Sequence, residues 1–576
     1  MDETNRKRSK AVRIVAFFKQ KWHIFILFFI WLYSAIVQYV WLTLDKAPPW
    51  GDGLSFILRG MWLFNQQSMG GWGEFFKSLF HFDAMYPSPP VIALTYFLYY
   101  KIFGLFSEME VMVNSLYLAL GIIGIYGIGK HFFNKYIGLF SALIFISLPG
   151  ILAYGNLGFK EFHIMCFLAL AVYFLLKAND FKNRIFSILF AISLAVMLLI
   201  KIESIVFIIF PLTVVVVKIF FNRKFFVSRY QVINAILALV FTFCIFSPWY
   251  IVNFSSFINF LSARIGAVAN INSIYFSTKS LCYYEYSLYD NLLTKFQIFF
   301  FIFISIYILA RGLYPKVKTI KVKRAVFIWF CFGVSFLIFA FLCEKDTSHI
   351  LSLLVFISLI IASGCYIIRN KVVKIIFICL ISLHAINTPL MLLSAEGSDM
   401  EIIPCRVWLS PVDSILYEMR GGRIRNLYGY ENRFTKRPWG CRLKAILEFI
   451  KEDFGMDNCR NTKPNVFFLA NYEHFRFFQM EYYNKKMHSP VSLGFFNVEL
   501  ECIEENIFGD KNHYIVAEDP MLSMYPNKEE SRQMKKVFEF ISENQERFHR
   551  KYKIVKKIEL PEGLTANIYK RLSRNP

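Results

Sequence analysis

Long apolar runs alternate with short basic stretches over residues 1–394, and the alternation stops there. Crossing the hydrocarbon of a bilayer takes roughly 20 apolar residues in a helix. On that length the runs predict helical spans at 22–44, 89–105, 112–130, 136–153, 162–177, 184–200, 203–221, 231–252, 294–312, 325–343, 349–368 and 373–394. The first run is too long for a cleavable leader and has no small-residue exit site. Past residue 394 the pattern changes to strand-like alternation at 465–469, 513–516, 553–560 and 565–569, with helical periodicity at 471–484 and 528–547. The expected architecture is a polytopic α-helical membrane region over 1–394, followed by a small α/β domain over 395–576.

Basic residues in short loops orient such a bundle, because Lys and Arg accumulate on the cytoplasmic side. Arg6, Lys7, Arg8 and Lys10 precede the first span, and basic clusters fall at 130–135, 177–184, 223–229, 316–324 and 369–374. Placing all of these inside puts 45–88, 154–161, 253–293 and 344–348 outside. Strict alternation through 89–105 would break this scheme. That segment is short, opens on Pro89-Pro90 and carries Lys101. Treated as interfacial, it leaves about eleven crossings (eleven to thirteen in all), and residues 395–576 lie outside.

Composition supports the membrane reading. Apolar residues make up 56% of the 576 positions and charged residues only 18%, and the mean hydropathy is +0.44. A formal charge of +23 could point to nucleic acid. The cations are spread between apolar runs rather than gathered on one surface, so no nucleic-acid partner is expected. Six of the eleven cysteines (Cys166, Cys244, Cys331, Cys343, Cys365, Cys379) lie in or at the edge of apolar runs and read as packing residues. Cys282, Cys405, Cys441, Cys459 and Cys502 lie in polar stretches, where a disulfide can form but its pairing is not readable.

The loop 45–88 carries the first candidate chemistry. It combines Pro48-Pro49-Trp50-Gly51-Asp52-Gly53, an amphipathic stretch at 54–64, a turn Gly70-Gly71-Trp72-Gly73, a second amphipathic stretch at 74–82, and Tyr86-Pro87-Ser88-Pro89-Pro90. Amphipathic helices with aromatic faces lie flat at the membrane boundary. Asp52 is either a carboxylate base at headgroup level or a turn or helix-capping residue. Glu161, at the start of the run 162–177, is either a functional acid or an ordinary helix-start glutamate. Lys201 and Glu203 interrupt the run 185–212 and read either as solvated loop charges or as a cation holding a phosphate. Arg59, Arg264, Lys345 and His349 are further outer-face candidates for that role.

The order of these features resembles the membrane glycosyltransferases of the GT-C fold, closest to the protein mannosyltransferase group of family 39 and its bacterial aminoarabinose-transferase relatives. Gly51-Asp52, with Phe56 and Gly60, looks like the family's Asp-Glu-x-x-Tyr motif. Tyr86-Pro87-Ser88-Pro89-Pro90, followed by the run from Tyr96 to Gly104, resembles its His-Pro-Pro-Leu-Tyr-Tyr segment. Glu161 stands twelve residues before Tyr173, in the place of its second acid. Ser247-Pro248-Trp249-Tyr250 resembles its Pro-Trp-Tyr/Phe, and the stretch from Lys345 to His349 resembles its basic approach to a late span. Residues 553–571, with Pro561-Glu562-Gly563, are similar to the closing hairpin of bacterial members. Three positions depart: Gly53 replaces the usual Glu, Tyr86 the usual His, and Glu161 the usual Asp.

The resemblance implies inverting transfer of a sugar from a polyprenyl-phosphate donor to a lipid, glycan or protein acceptor at the outer face. It implies Asp52 as base and Glu161 as a second acid, with Lys201, Lys345 and His349, and more weakly Arg59 and Arg264, around the donor phosphate. It implies no cofactor and no metal. Two other classes remain open on the residues alone. A transporter or flippase of a lipid-linked substrate would show paired broken helices at the midplane, and a non-catalytic membrane scaffold would use 395–576 to bind a partner.

Overall fold

The computed structural model describes residues 3–44, 52–81, 89–105, 109–221, 229–259, 262, 284–285, 287–288, 292–313, 320–342, 347–368, 370–391, 440–454, 463–469, 471–472, 475–487, 491–495, 503–508, 512–519, 529–560 and 565–572. The N-terminal part is helical: α1 (Glu3–Leu44), α2 (Asp52–Leu79), α3 (Val91–Phe103), α4 (Asn114–Phe132), α5 (Lys135–Ile146), α6 (Pro149–Leu157), α7 (Lys160–Ala178), α8 (Arg184–Ile200), α9 (Ile205–Phe221) and α10 (Arg229–Val252). Helices Lys295–Leu313, Ile320–Leu342, Leu354–Ile367 and Lys371–Met391 complete it.

Among the described residues, eight helices are long and apolar enough to cross a membrane. Nine qualify if α5 and α6 count as one bent span. Two features separate this count, taken over the described residues, from the expected eleven to thirteen. The run at 136–153 is bent by 59° where Pro149 opens a new helix at its first turn. Three other apolar runs, Val91–Phe103, Arg184–Ile200 and Phe296–Arg311, fall below the eighteen residues of the others. At about 1.5 Å per residue, the 13-residue α3 is about 20 Å long, well short of a ~30 Å hydrocarbon core.

Small residues let the central helices approach closely. A methyl group on Gly124 would fall 2.4 Å from the Ala169 carbonyl carbon, and one on Gly127 would fall 2.3 Å from the Tyr173 ring. This glycine stripe brings α4 against α7, a packing style of apolar helices in which no hydrophobic driving force separates lipid from protein. Of these spans the segment Ser348–Ile367 is the most enclosed, with 94% of its apolar stretch buried. α10 instead turns Ile236, Leu239 and Phe243 outward.

The bundle has two chemically distinct ends. At one, Lys218 pairs with Asp180 at 2.7 Å, and Gln231 and Asn234 donate to the Asp180 and Phe181 carbonyls. At the other, Tyr250 donates to the Leu198 carbonyl at 3.0 Å and Asn253 to that of Phe80 at 3.1 Å. The basic stretch 177–184 thus sits at the opposite end from Lys201 and from the start of α7.

The C-terminal part carries a five-stranded mixed sheet in the order β4-β1-β5-β7-β6. The strands are β1 (Asn465–Leu469), β2 (Asn471–Tyr472), β3 (Phe475–Arg476), β4 (Ser492–Phe495), β5 (Tyr514–Asp519), β6 (Tyr552–Glu559) and β7 (Thr565–Arg571). β1 runs parallel to β4 and β5, whereas β7 runs antiparallel to β5 and β6, with an irregularity between Ile554 and Lys556. The helix expected at 471–484 begins later, at Phe477–Lys486, because β2 and β3 pair first. The second expected helix is split into Glu529–Glu543 and Gln545–Lys551. β4 and the helices Gly440–Asp453 and Ile503–Phe508 are additional. One continuous buried cluster includes Tyr96 and Tyr100 of α3 as well as Leu443, Val466 and Tyr482, so the two regions share a core.

Candidate functional site

The site is built where α2 starts against the corner between α6 and α7. Gly158 closes α6 in the left-handed conformation (φ 71°), which glycine adopts without steric cost. Gly53, the second residue of α2, presses into this corner: a Cβ on it would lie 1.7 Å from the Leu157 carbonyl oxygen. Its Cα lies 3.6 Å from where a Cβ on Gly158 would sit. The missing acid at Gly53 thus has a steric reason, since no side chain fits there. The contact puts the backbone of Asp52 beside the turn that leads into Glu161. Asp52 is the first residue of α2, and its side chain lies outside the described residues.

Glu161 is in the first turn of α7 and is buried. Its Oε1 accepts a hydrogen bond from Lys201 Nζ at 3.1 Å, and the lysine side chain is 15% exposed against 5% for the glutamate. Lys201 ends α8, with its backbone N–H on the Met197 carbonyl. A buried ion pair therefore joins the start of one helix to the end of the next and leaves the cation in partial contact with solvent. Tyr250 packs on the same corner through its bond to Leu198.

Behind Glu161, His163 is fully buried. Its Nδ1 lies 2.9 Å from the Phe159 carbonyl oxygen and its Nε2 lies 3.1 Å from Asn114 Oδ1. Asn114 Nδ2 donates to the Gly155 carbonyl at 2.7 Å. A Cβ on Gly158 would meet the Tyr96 hydroxyl at 2.9 Å and Asn114 Nδ2 at 3.4 Å. Tyr96, Asn114 and His163 escaped sequence reasoning because a polar side chain in an apolar run has no periodicity of its own.

The remaining candidates scatter. Arg59 lies seven residues into α2, about 10 Å along the helix from Asp52. It is buried and donates through Nη2 to the His81 carbonyl at 3.1 Å, tying α2 to the chain that follows it. His349 is half-buried in the 3-10 segment Thr347–Leu353, which packs against α7, with its ring 6.3 Å from that of Phe339. Lys345 and Arg264 lie outside the described residues. The structure thus sets the start of α2 against the turn before Glu161, pairs Glu161 with Lys201, and turns Arg59 to the His81 carbonyl.

α2 also has the two-armed form its pattern predicts. Gly71 (φ 70°, ψ −163°) breaks the helix, and Met69, Trp72 and Phe76 are exposed around the break. Apolar side chains displayed this way suit the boundary between water and lipid.

Fold and site together define a polytopic α-helical membrane protein with a GT-C-like architecture. The comparisons make this specific. A family model described as dolichyl-phosphate-mannose-protein mannosyltransferase matches residues 87–252, from just before α3 to the end of α10. Among solved structures, the chain is similar to apo ArnT from Cupriavidus metallidurans, with a TM-score of 0.56 and 11% identity over 93% of this chain and 97% of that one. It is likewise similar to that ArnT bound to undecaprenyl phosphate, with a TM-score of 0.53 and 14% identity over 94% and 98%. No curated protein matches it by sequence.

Proposed function

We propose that this chain is an inverting glycosyltransferase of the outer membrane face that takes a sugar from a polyprenyl-phosphate donor. The observation that supports the reading is the Gly53 contact, which packs the start of α2 against Leu157 and Gly158, at the turn that leads into Glu161 and its partner Lys201. The ArnT likeness supports it, since one of those structures holds undecaprenyl phosphate. The Lys/Ile/Phe-rich composition points to a bacterial inner membrane, with residues 395–576 on its outer side.

In the proposed reaction an acceptor hydroxyl or amine attacks the anomeric carbon and Asp52 takes its proton. The bond to the phosphate oxygen breaks with its electron pair staying on the phosphate, which leaves on the opposite side of the sugar. Lys201, held in place by Glu161, stabilises that developing charge, as preplaced cations do. His349, Lys345 and Arg264 complete the phosphate end, with Arg59 a supporting residue, and Glu161 orients acceptor or sugar.

Replacing Asp52 by Asn tests the assignment. Sugar transfer from a polyprenyl-phosphate donor in isolated membranes should fall by roughly 10²–10⁴-fold, the range of a lost general base, while undecaprenyl phosphate still binds. Undiminished transfer overturns Asp52 as base. The flippase alternative draws on the 59° break between α5 and α6, and predicts donor translocation without transfer in the same membranes.

A further inference from the structure

A second buried ion pair stands apart from the site and joins chain segments 376 residues apart. Glu110 opens the 3-10 turn Glu110–Val113 that leads into α4, and its side chain is 1% exposed. Lys486 Nζ, 6% exposed, lies 3.2 Å from its Oε2, and the Tyr482 hydroxyl donates to its Oε1 at 2.7 Å. Both partners lie on the helix Phe477–Lys486 of the α/β region. The Lys486 ammonium also lies 5.2 Å from the centre of the Tyr100 ring and 5.5 Å from that of Tyr482.

A burial this complete is costly for two charges, and apolar residues of the same shape would hold two surfaces together as well. What a charged pair adds is a defined register, and the turn it grips leads directly to the site. Asn114 follows Val113, holds the Gly155 carbonyl and faces His163, two residues from Glu161. α1 grips the same turn: Trp31 Nε1 donates to the Ser115 carbonyl at 2.8 Å, and Gln38 Nε2 to that of Val111 at 3.4 Å. Tyr96, one turn before Tyr100 on α3, reaches Gly158 from the other side. A contiguous packed path therefore runs from Lys486 through Glu110 and Asn114 to the corner bearing Glu161.

We infer that Glu110 is a positioning residue: its pair with Lys486 docks the α/β region in one register and thereby sets the geometry of the α6–α7 corner. The consequence for catalysis rests on the glycosyltransferase reading above; the mechanical link does not. Hydrogen exchange on the full chain in lipid nanodiscs separates the two. In Lys486→Met, exchange should rise at 477–486 and also at 155–163, whereas Asp52→Asn should leave both segments protected. Lys486→Arg, which keeps the charge, should restore protection. The double variant Glu110→Gln/Lys486→Met removes both charges without leaving one unpaired, and keeps the test valid if a single variant does not fold. It should retain folding but still show raised exchange at 155–163.

In turnover, Lys486→Met should lower kcat about tenfold with donor KM within about twofold, a size typical of residues that act through a packed path. Raised exchange confined to 477–486 and 110–113 would overturn the positioning role and leave only a dock. Raised exchange at 155–163 in a protein that transfers no sugar would uphold the link and remove the reaction proposed for it.

Discussion

Among the described residues, two buried carboxylate–lysine pairs share a chemistry and differ in access. Lys201 is 15% exposed and Lys486 6%, and their glutamates are 5% and 1% exposed. The first pair joins the start of α7 to the end of α8 and leaves Lys201 in partial contact with solvent. The second is sealed between α3, the start of α4 and the helix Phe477–Lys486, with aromatic rings around the ammonium. A buried pair is poor evidence for stability in general. The two pairs differ in what they leave open: Lys201 keeps partial contact with solvent, and Lys486 is sealed.

The largest effect expected is that of Gly53→Ala. The new methyl would fall 1.7 Å from the Leu157 oxygen, so α2 must shift away from Glu161. Overpacking of this kind costs about 1–3 kcal/mol or more. Sugar transfer should be lost and thermal unfolding in detergent should occur at lower temperature. A fully active Gly53→Ala would break the claim that α2 starts at the accessible pair.

Next come the members of that pair. Glu161→Gln should cut transfer roughly 100-fold, and Lys201→Met should weaken binding of undecaprenyl phosphate at least tenfold, measured by ligand-induced thermal shift. Removing one partner of a buried pair costs about 3–5 kcal/mol, and the partial exposure of Lys201 reduces that cost. Equal loss of phosphate affinity in Lys486→Met would erase the distinction between the two pairs.

A smaller effect is expected for Gly158→Ala. Left-handed backbone costs a residue with a Cβ about 1–2 kcal/mol, and here the methyl also meets the Tyr96 hydroxyl at 2.9 Å. Lowered kcat with unchanged protection at 477–486 would sharpen the comparison, since the corner would be disturbed without the dock.

The smallest is a pH effect confined to the α/β region. Burial, then the Arg571 charge, hold the His513 imidazole below its ordinary 6.5, and its Nδ1 accepts the Asn465 N–H at 3.0 Å. Burial alone would raise the Asp453 carboxyl, but hydrogen bonds from Lys570 and Tyr514 and the Lys570 charge outweigh it and hold the group below 3.8. Both folded forms therefore bind protons less readily than the unfolded chain. The histidine contribution is present above pH 6.5 and is lost as pH falls through the lowered value, and the aspartate contribution follows below pH 3.8. Exchange at 465–469 and 514–519 should rise first in acid, ahead of the bundle. His513→Asn should remove the upper step.

Much of the bundle was legible because apolar runs, basic loops and caps are local signals. Asn134 and Asn183 cap α5 and α8 as their residue type predicts. Span lengths near the threshold were not legible, because the break at Pro149 turns one apolar run into two helices. In the α/β region, β4 escaped because Ser492–Phe495 is short and gains its identity only by pairing with β1. Of the site, Glu161 and Lys201 were legible as charges at the ends of apolar runs. Their partnership, across forty residues, was not.

Composition and hydropathy by themselves established a membrane-embedded helical chain with a polar α/β end, because burial in lipid leaves a mark on every residue of a span. They also marked Gly53 as a departure from a familiar motif without supplying its cause. Only the tertiary structure showed that Gly53 lies against the Leu157 carbonyl, that Lys201 is bound to Glu161, and that Glu110 belongs to Lys486. Close approach and charge pairing depend on distances between segments far apart in sequence, and no local pattern encodes them.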